Sequence, residues 1–256
     1  MLYPIFDKGF VYDSYSSRSN KGTHKGLERF REFAWSLSRN NTRPVWILKC
    51  DIKRFFDSID HDTLIQLLKK KIKDERLLNL LEGIIRSFSV KPGKGLPLGN
   101  LTSQLFSNVY LNPLDQYMKR TLSLKHYIRY TDDFVVLSRD KQELEDVLVK
   151  IKAFLPMRLA LEVHPRKISL SRISQGLDFL GFIMFPHHQL VRTKTKQRMF
   201  RKLKKRGEMY QKGAIGKFEL EQSFSSYFGI LSHARTRKLS QRLQNQFRFW
   251  AKSLAK

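Results

Sequence analysis

Two short apolar runs in this chain stop at aspartate. Val45-Trp-Ile-Leu-Lys-Cys leads into Asp51, while Ile128-Arg-Tyr and Phe134-Val-Val-Leu flank Thr131-Asp132-Asp133. Their length and their β-branched and aromatic content predict strands. The second pair reads as a β-hairpin with carboxylates at its tip. A fold that satisfies both runs must bury them and leave the acids at strand ends. Aspartate is also at home in an ordinary hairpin turn, so the pair alone does not decide between turn chemistry and a site. In a chain this basic, however, clustered carboxylates are costly unless they hold a cation. Mg²⁺ prefers a few carboxylates completed by substrate phosphates. Two such ions about 4 Å apart clamp both oxygens of a phosphoryl transfer.

The basicity is large. Lys and Arg number 49 against 23 Asp and Glu, a formal charge of +26 over 256 residues. Such a surplus calls for an anion, and nucleic acid fits better than an acidic membrane surface, which wants a cleaner basic amphipathic segment. The excess is concentrated. Residues 186–256 hold 18 Lys and Arg against Glu208, Glu219 and Glu221. Hydrophobic residues at 41% point to a globular chain rather than a disordered basic one. Cys50, the single cysteine, excludes an internal disulfide and a cysteine-based zinc site. No segment has the apolar length of a membrane span, and the first residues do not read as a signal peptide, so a cytoplasmic location is expected.

Helical spacing appears in Lys25–Ser38, Asp62–Ile72, Glu75–Ile85, Leu101–Tyr110 with Pro113 as a kink or stop, and Glu143–Phe154. The opening stretch to Asn20 reads as irregular, and Lys91–Gly99 as a turn-rich loop. Leu161-Glu-Val and Ile168-Ser-Leu read as strands, and Leu177–Phe185 as a strand pair. Helices interleaved with antiparallel strands make an α+β body, followed by a basic helical tail.

These pieces have a familiar order. Asp51-Ile-Lys-Arg-Phe-Phe-Asp-Ser-Ile-Asp-His resembles motif A of reverse transcriptases, and Arg129-Tyr-Thr-Asp-Asp-Phe-Val-Val-Leu resembles their motif C. Between them, Gly95-Leu-Pro-Leu-Gly-Asn-Leu-Thr-Ser-Gln lies where motif B belongs. Tyr15-Ser-Ser-Arg-Ser-Asn-Lys-Gly-Thr-His is similar to the fingers motif, His164-Pro-Arg-Lys to motif D, and Leu177-Asp-Phe-Leu-Gly-Phe to the motif E primer grip. The resemblance implies a right-hand polymerase. Residues 1–185 would form fingers and a ferredoxin-like palm, and residues 186–256 a short basic helical thumb. In that thumb Arg192–Arg206 would follow the template–primer backbone, and Phe224, Tyr227 and Phe228 would pack against the palm.

The same resemblance assigns roles. Asp51 and Asp132, with the Ile52 carbonyl, would carry two Mg²⁺ ions, for which Mn²⁺ can substitute, and Asp133 would sit beside them. Arg18 and Lys21 would meet the nucleotide triphosphate. Lys167 would protonate pyrophosphate, Phe56 would select deoxynucleotides by excluding a 2′-hydroxyl, Tyr130 would pack near the primer terminus, and Gly99 would allow close approach to the templating pair. Each also has a plainer reading as a surface charge, core ring or loop glycine. Leu98 replaces the Gln usual in group II intron enzymes, and Ser103-Gln104 replaces Ser-Pro; both resemble the reverse transcriptases of diversity-generating retroelements, which act in mutagenic retrohoming. That subgroup implies error-prone copying of a template RNA from dNTPs into an RNA/DNA hybrid. It also implies a small basic oligomeric accessory protein and a bacterial or phage source. A retron- or defence-type enzyme, or a non-catalytic RNA-binding protein of the same fold, are the alternatives.

Overall fold

A computed structural model describes residues 2–252, with side chains through Trp250. The end of the expected thumb, residues 253–256, lies outside the described residues. The chain divides into two compact units, the division falling between Ile173 and Ser174. The boundary expected at 185/186 therefore falls inside the second unit, because the strands around Leu177 pair with a third strand downstream.

The first unit is built on a four-stranded antiparallel sheet of order β2-β3-β1-β4. Its strands are β1 (Trp46–Asp51), β2 (Tyr127–Tyr130), β3 (Asp133–Ser138) and β4 (Ser169–Arg172). Phe134, Val135, Val136 and Leu137 are consecutive and all buried, so both faces of β3 are covered. Phe134 and Val136 join the main core. There they meet α6 (Leu101–Gln116) and α7 (Lys141–Leu159). Val135 and Leu137 point the other way, and α2 (Thr23–Ser38) packs against β2 and β3.

The remaining helices of this unit are α1 (Tyr3–Asp7), α3 (Phe55–Ser58), α4 (His61–Lys69) and α5 (Glu75–Arg86). Asp60 and Asp74 cap α4 and α5, accepting from Thr63 N at 2.9 Å and Leu77 N at 3.1 Å. The Tyr110 hydroxyl, pushed up to about 12 by burial, accepts from Asp60 N and donates to the Leu159 carbonyl at 2.6 Å. One side chain thus ties α4, α6 and α7 together.

Local reading failed in three places. The opening stretch contains α1. Pro113 does not stop α6, which runs to Gln116 and continues as a π-helix over Tyr117–Thr121; burial along almost its whole length outweighs the lost hydrogen bond. Leu161-Glu-Val is reduced to an isolated bridge between Val163 and Ile52.

The second unit has a three-stranded antiparallel sheet, β5 (Leu177–Phe179), β6 (Phe182–Met184) and β7 (Gln189–Val191). Leu180 and Gly181, at φ 51° and 87°, give its first turn the left-handed geometry that a two-residue hairpin needs. Three helices follow: α8 (Thr193–Gln211), α9 (Lys217–Ser232) and α10 (Arg237–Lys252). Phe224 is buried against Phe247 and Trp250 at ring separations of 5.0 and 6.0 Å. Both of these rings belong to the same unit as Phe224. Among the described residues no helix is long and apolar enough to cross a membrane.

Candidate active site

The register of β1 on β3 sets Cys50 opposite Phe134 and Asp51 opposite Asp133. The Ile52 amide then donates to the Asp132 carbonyl at 3.2 Å, while Thr131, at φ 53°, turns the chain from β2 into β3. Asp51, Asp132 and Asp133 are thereby gathered at one end of the sheet. The two strand ends predicted from sequence are a single place.

Lys167 comes to the same place from the turn after α7. The Asp51 carbonyl accepts from His164 N at 2.7 Å, and His164 Nδ1 accepts from the Arg166 amide at 3.2 Å. This geometry aims Lys167 Nζ at both Asp51 oxygens, each 2.9 Å away. The bond to Asp51 holds the ammonium pKa above its ordinary value. Lys49, two residues before Asp51 on the same strand face, contacts Asp133 Oδ2 at 3.0 Å. Burial pushes the Asp133 carboxyl up to about 6 against the opposing Lys49 charge, with Asp51 and Asp132 adding to the rise. Asp132 is raised as well, first by burial and then by Asp51. Cys50, driven up to about 12 by burial, is an inert thiol.

These residues suit a hard cation. The donors are carboxylate and carbonyl oxygens, and Asp133 Oδ1 is buried with no hydrogen-bond partner. Burial raises the pKa of Asp132 and Asp133, and the neighbouring carboxylates add to the rise. Among the described residues no three His, Cys, Asp or Glu side chains form a group that could hold a metal ion.

The loop between Lys91 and Asn100 is laid against the segment after β1. Gly95 N donates to Ile59 O at 2.8 Å, Leu96 N to Phe56 O at 2.9 Å, and buried His61 meets the Gly95 carbonyl through Nε2 at 2.7 Å. Phe55 fills the core and Phe56 is half-buried, their rings 5.2 Å apart. Leu98 is 74% exposed, and Gly99, at φ 95°, has open space where a Cβ would stand. The Tyr130 hydroxyl accepts from Thr23 at 3.3 Å.

Arg18 and Lys21 share one loop but differ in posture. The Arg18 side chain is 7% exposed, its Nε on Asp7 at 2.7 Å and its Nη1 on the Val11 and Ser14 carbonyls. In this arrangement it is a strut of the loop and would have to exchange those bonds to reach a phosphate. Lys21 Nζ donates to Tyr12 O at 2.9 Å and lies 3.2 Å from the Tyr12 ring centroid. Burial and then Arg18 lower its pKa.

Sequence reasoning missed Lys49, His61 and the pair of Arg129 with Asp115. The side chains of the last two are fully buried, Nη2 to Oδ2 at 2.6 Å. A signal existed: an arginine inside an apolar strand and an aspartate inside an apolar helix each demand a partner.

Antiparallel strands presenting aspartates at one end of the sheet, backed by helices and served by a lysine, define the palm of a nucleic-acid polymerase. Residues 1–184 match the reverse transcriptase (RNA-dependent DNA polymerase) family, and the chain belongs to it. It is 25% identical to protein YkfC of Escherichia coli K12 over 76% of this chain and 59% of that protein. Group II intron-encoded protein LtrA of Lactococcus lactis is 23% identical, over 71% of this chain and 41% of LtrA. An uncharacterized 91 kDa protein in the cob intron of Schizosaccharomyces pombe is 30% identical, over 71% and 29%. The chain thus spans less than two thirds of these relatives. Among solved structures, telomerase from Candida albicans in complex with a fragment of telomeric RNA aligns with a TM-score of 0.63 at 13% identity. That alignment covers 99% of this chain and 46% of the telomerase chain. The fold is the α+β polymerase fold expected from the sequence.

Proposed function

We propose that the chain is an RNA-directed DNA polymerase that extends a primer on a template RNA. The observation carrying this reading is the convergence of Asp51, Asp132 and Asp133 at one sheet end, with Lys167 bonded to Asp51. Asp51, Asp132 and the Ile52 carbonyl would hold two divalent ions, which when bound acidify the primer 3′-hydroxyl and neutralise the pyrophosphate. The 3′-oxygen forms its bond to the α-phosphorus as the bond from that phosphorus to the β-phosphate oxygen breaks. The hydroxyl proton passes to solvent. Lys167, leaving Asp51, gives a proton to the pyrophosphate.

Phe56 lies under the sugar, where its ring excludes a 2′-hydroxyl. Tyr130 packs at the primer end, and Gly99 lets the templating pair approach the loop. Lys21 reaches the triphosphate from a loop braced by Arg18. Leu98 offers the nascent pair apolar contact where a Gln would hydrogen-bond, which weakens discrimination between nucleotides. This favours an error-prone enzyme of the diversity-generating kind, acting with its template RNA and a small basic accessory protein.

The test is Mg²⁺-dependent dNTP incorporation on a primed RNA template, wild type beside Asp132→Ala, with the products sequenced. Incorporation that disappears in the variant is expected, with errors clustered at one template base. A wild type that binds RNA but adds no nucleotide, even with its neighbouring genes' products present, refutes the catalytic reading. Products with evenly spread errors refute the subgroup.

A further inference from the structure

Behind the carboxylates lies a buried polar network that the reaction as described does not use. Arg129, on β2 three residues before Asp132, donates from Nε and Nη2 to the two oxygens of Asp115 at 2.8 and 2.6 Å. Tyr127 donates to the same carboxylate at 2.7 Å. The remaining guanidinium contacts go to Asn108 Oδ1 at 3.2 Å, Ser14 Oγ at 3.0 Å and the Thr131 carbonyl at 3.0 Å. Asn108 in turn donates to the Ser16 carbonyl at 2.9 Å, and Thr131 Oγ1 to Ser16 Oγ at 2.7 Å. The backbone repeats the connection, with Arg129 N on Asp13 O and Tyr15 N on Arg129 O.

Isolating a charge this completely is costly, and an apolar core of the same shape is often as stable. What the guanidinium adds is geometry. Its fixed fork joins three separate pieces of the chain: α6, the segment Asp13–Ser16 that leads to Arg18 and Lys21, and the Thr131 turn. Thr131 is a β-branched residue held at positive φ, a conformation that persists only where its surroundings impose it. The bonds from Arg129 to its carbonyl and from its own hydroxyl to Ser16 are such an imposition.

Resting on the polymerase reading above, we propose that Arg129 is a positioning residue. It holds the Thr131 turn so that Asp132 is presented at the sheet end. It also locks that turn to the loop carrying Lys21, so that the catalytic and triphosphate-facing parts are set by one buried group.

Two variants of the full chain test this. Arg129→Lys keeps the charge and loses the fork, whereas Thr131→Ala removes the bond to Ser16 together with the β-branch and leaves the buried charge pair intact. Hydrogen exchange is read at the amides of Thr131–Asp133 and Ser14–Ser16, and kcat and KM for dNTP are read well below each melting temperature. In both variants the two segments gain exchange together, roughly tenfold, while the middle of β3 stays protected. kcat falls about tenfold or more, and KM for dNTP rises as the loop carrying Lys21 loosens.

Exchange that rises evenly across β2, β3 and α6 makes Arg129 a plain stabiliser and overturns the proposal. So does an unchanged kcat in folded variants. Should Arg129→Lys fail to fold, Thr131→Ala decides by the same readings. Should the wild type add no nucleotide, the polymerase reading fails, and the exchange data still judge the coupling of the two segments.

Discussion

Replacing Lys167 by Met separates the two jobs proposed for its ammonium. In the structure Nζ bonds both oxygens of Asp51, with side-chain exposures of 55% for Lys167 and 15% for Asp51. A pair this open contributes about 0.2–1 kcal/mol, so Lys167→Met lowers Tm by only a few degrees. The same bonds occupy the oxygens that a cation bound at Asp51 would need. Their removal should move half-saturation by Mg²⁺ to lower concentration, by about 1.4- to 5-fold for 0.2–1 kcal/mol.

Loss of the proton donor acts the other way on rate and should lower kcat by about 10²–10⁴. Lys167→Arg isolates the two effects. It keeps the positive charge on Asp51, so the Mg²⁺ midpoint stays near wild type, but guanidinium does not surrender a proton, so kcat falls as in the Met variant. The assay is primer extension on RNA over a Mg²⁺ titration at saturating dNTP, with Tm recorded for each protein. A Met variant whose midpoint stays still or rises refutes the competition at Asp51. An Arg variant with wild-type kcat refutes the proton transfer.

Three other outcomes are expected. Leu98→Gln, a change at an exposed loop position, should narrow the error spectrum without altering Tm, as read by sequencing extension products; an unchanged spectrum removes Leu98 as a fidelity determinant. Gly207→Ala gains helix propensity of about 1 kcal/mol, but its Cβ would run into the Trp250 ring. Overpacking at about 1–3 kcal/mol should win, for a net loss of about 1 kcal/mol seen by denaturant titration, and a stabilised variant refutes the α8–α10 packing.

His126 supplies a pH test. Burial, then Lys119 and Lys125, with a smaller push from Arg29, hold its pKa below the ordinary 6.5, while Glu143 opposes. Phe33 packs edge-on against the ring at 5.0 Å. The folded state therefore binds its proton less readily than the unfolded state. Its contribution to stability is complete above pH 6.5 and is lost as pH falls through that value toward the folded pKa. Asp133, raised to about 6, acts in the opposite sense, being relieved by protonation as pH falls. Tm against pH for wild type minus His126→Gln cancels the Asp133 part and should show the acid-side loss for wild type alone; parallel profiles refute it.

Local patterns in the sequence located most elements. The spacing of Leu27, Phe30, Phe33 and Ala34 marks α2, the apolar runs into Asp51 and around Asp132 mark β1, β2 and β3, and the order of motifs reveals the family. These are legible because hydrophobic periodicity and turn chemistry act over a few residues, and a carboxylate at a strand end is visible beside the run it terminates. Packing between distant segments decided the rest. It carries α6 through Pro113, shifts the unit boundary to Ile173 and turns Arg18 inward onto Asp7. It also sets Lys167 on Asp51 across a separation of 116 residues and seals Arg129 against Asp115. A charged side chain carries no mark of its partner in its own neighbourhood. Which oxygen it meets, and whether water can reach them both, is settled only when remote elements close around it.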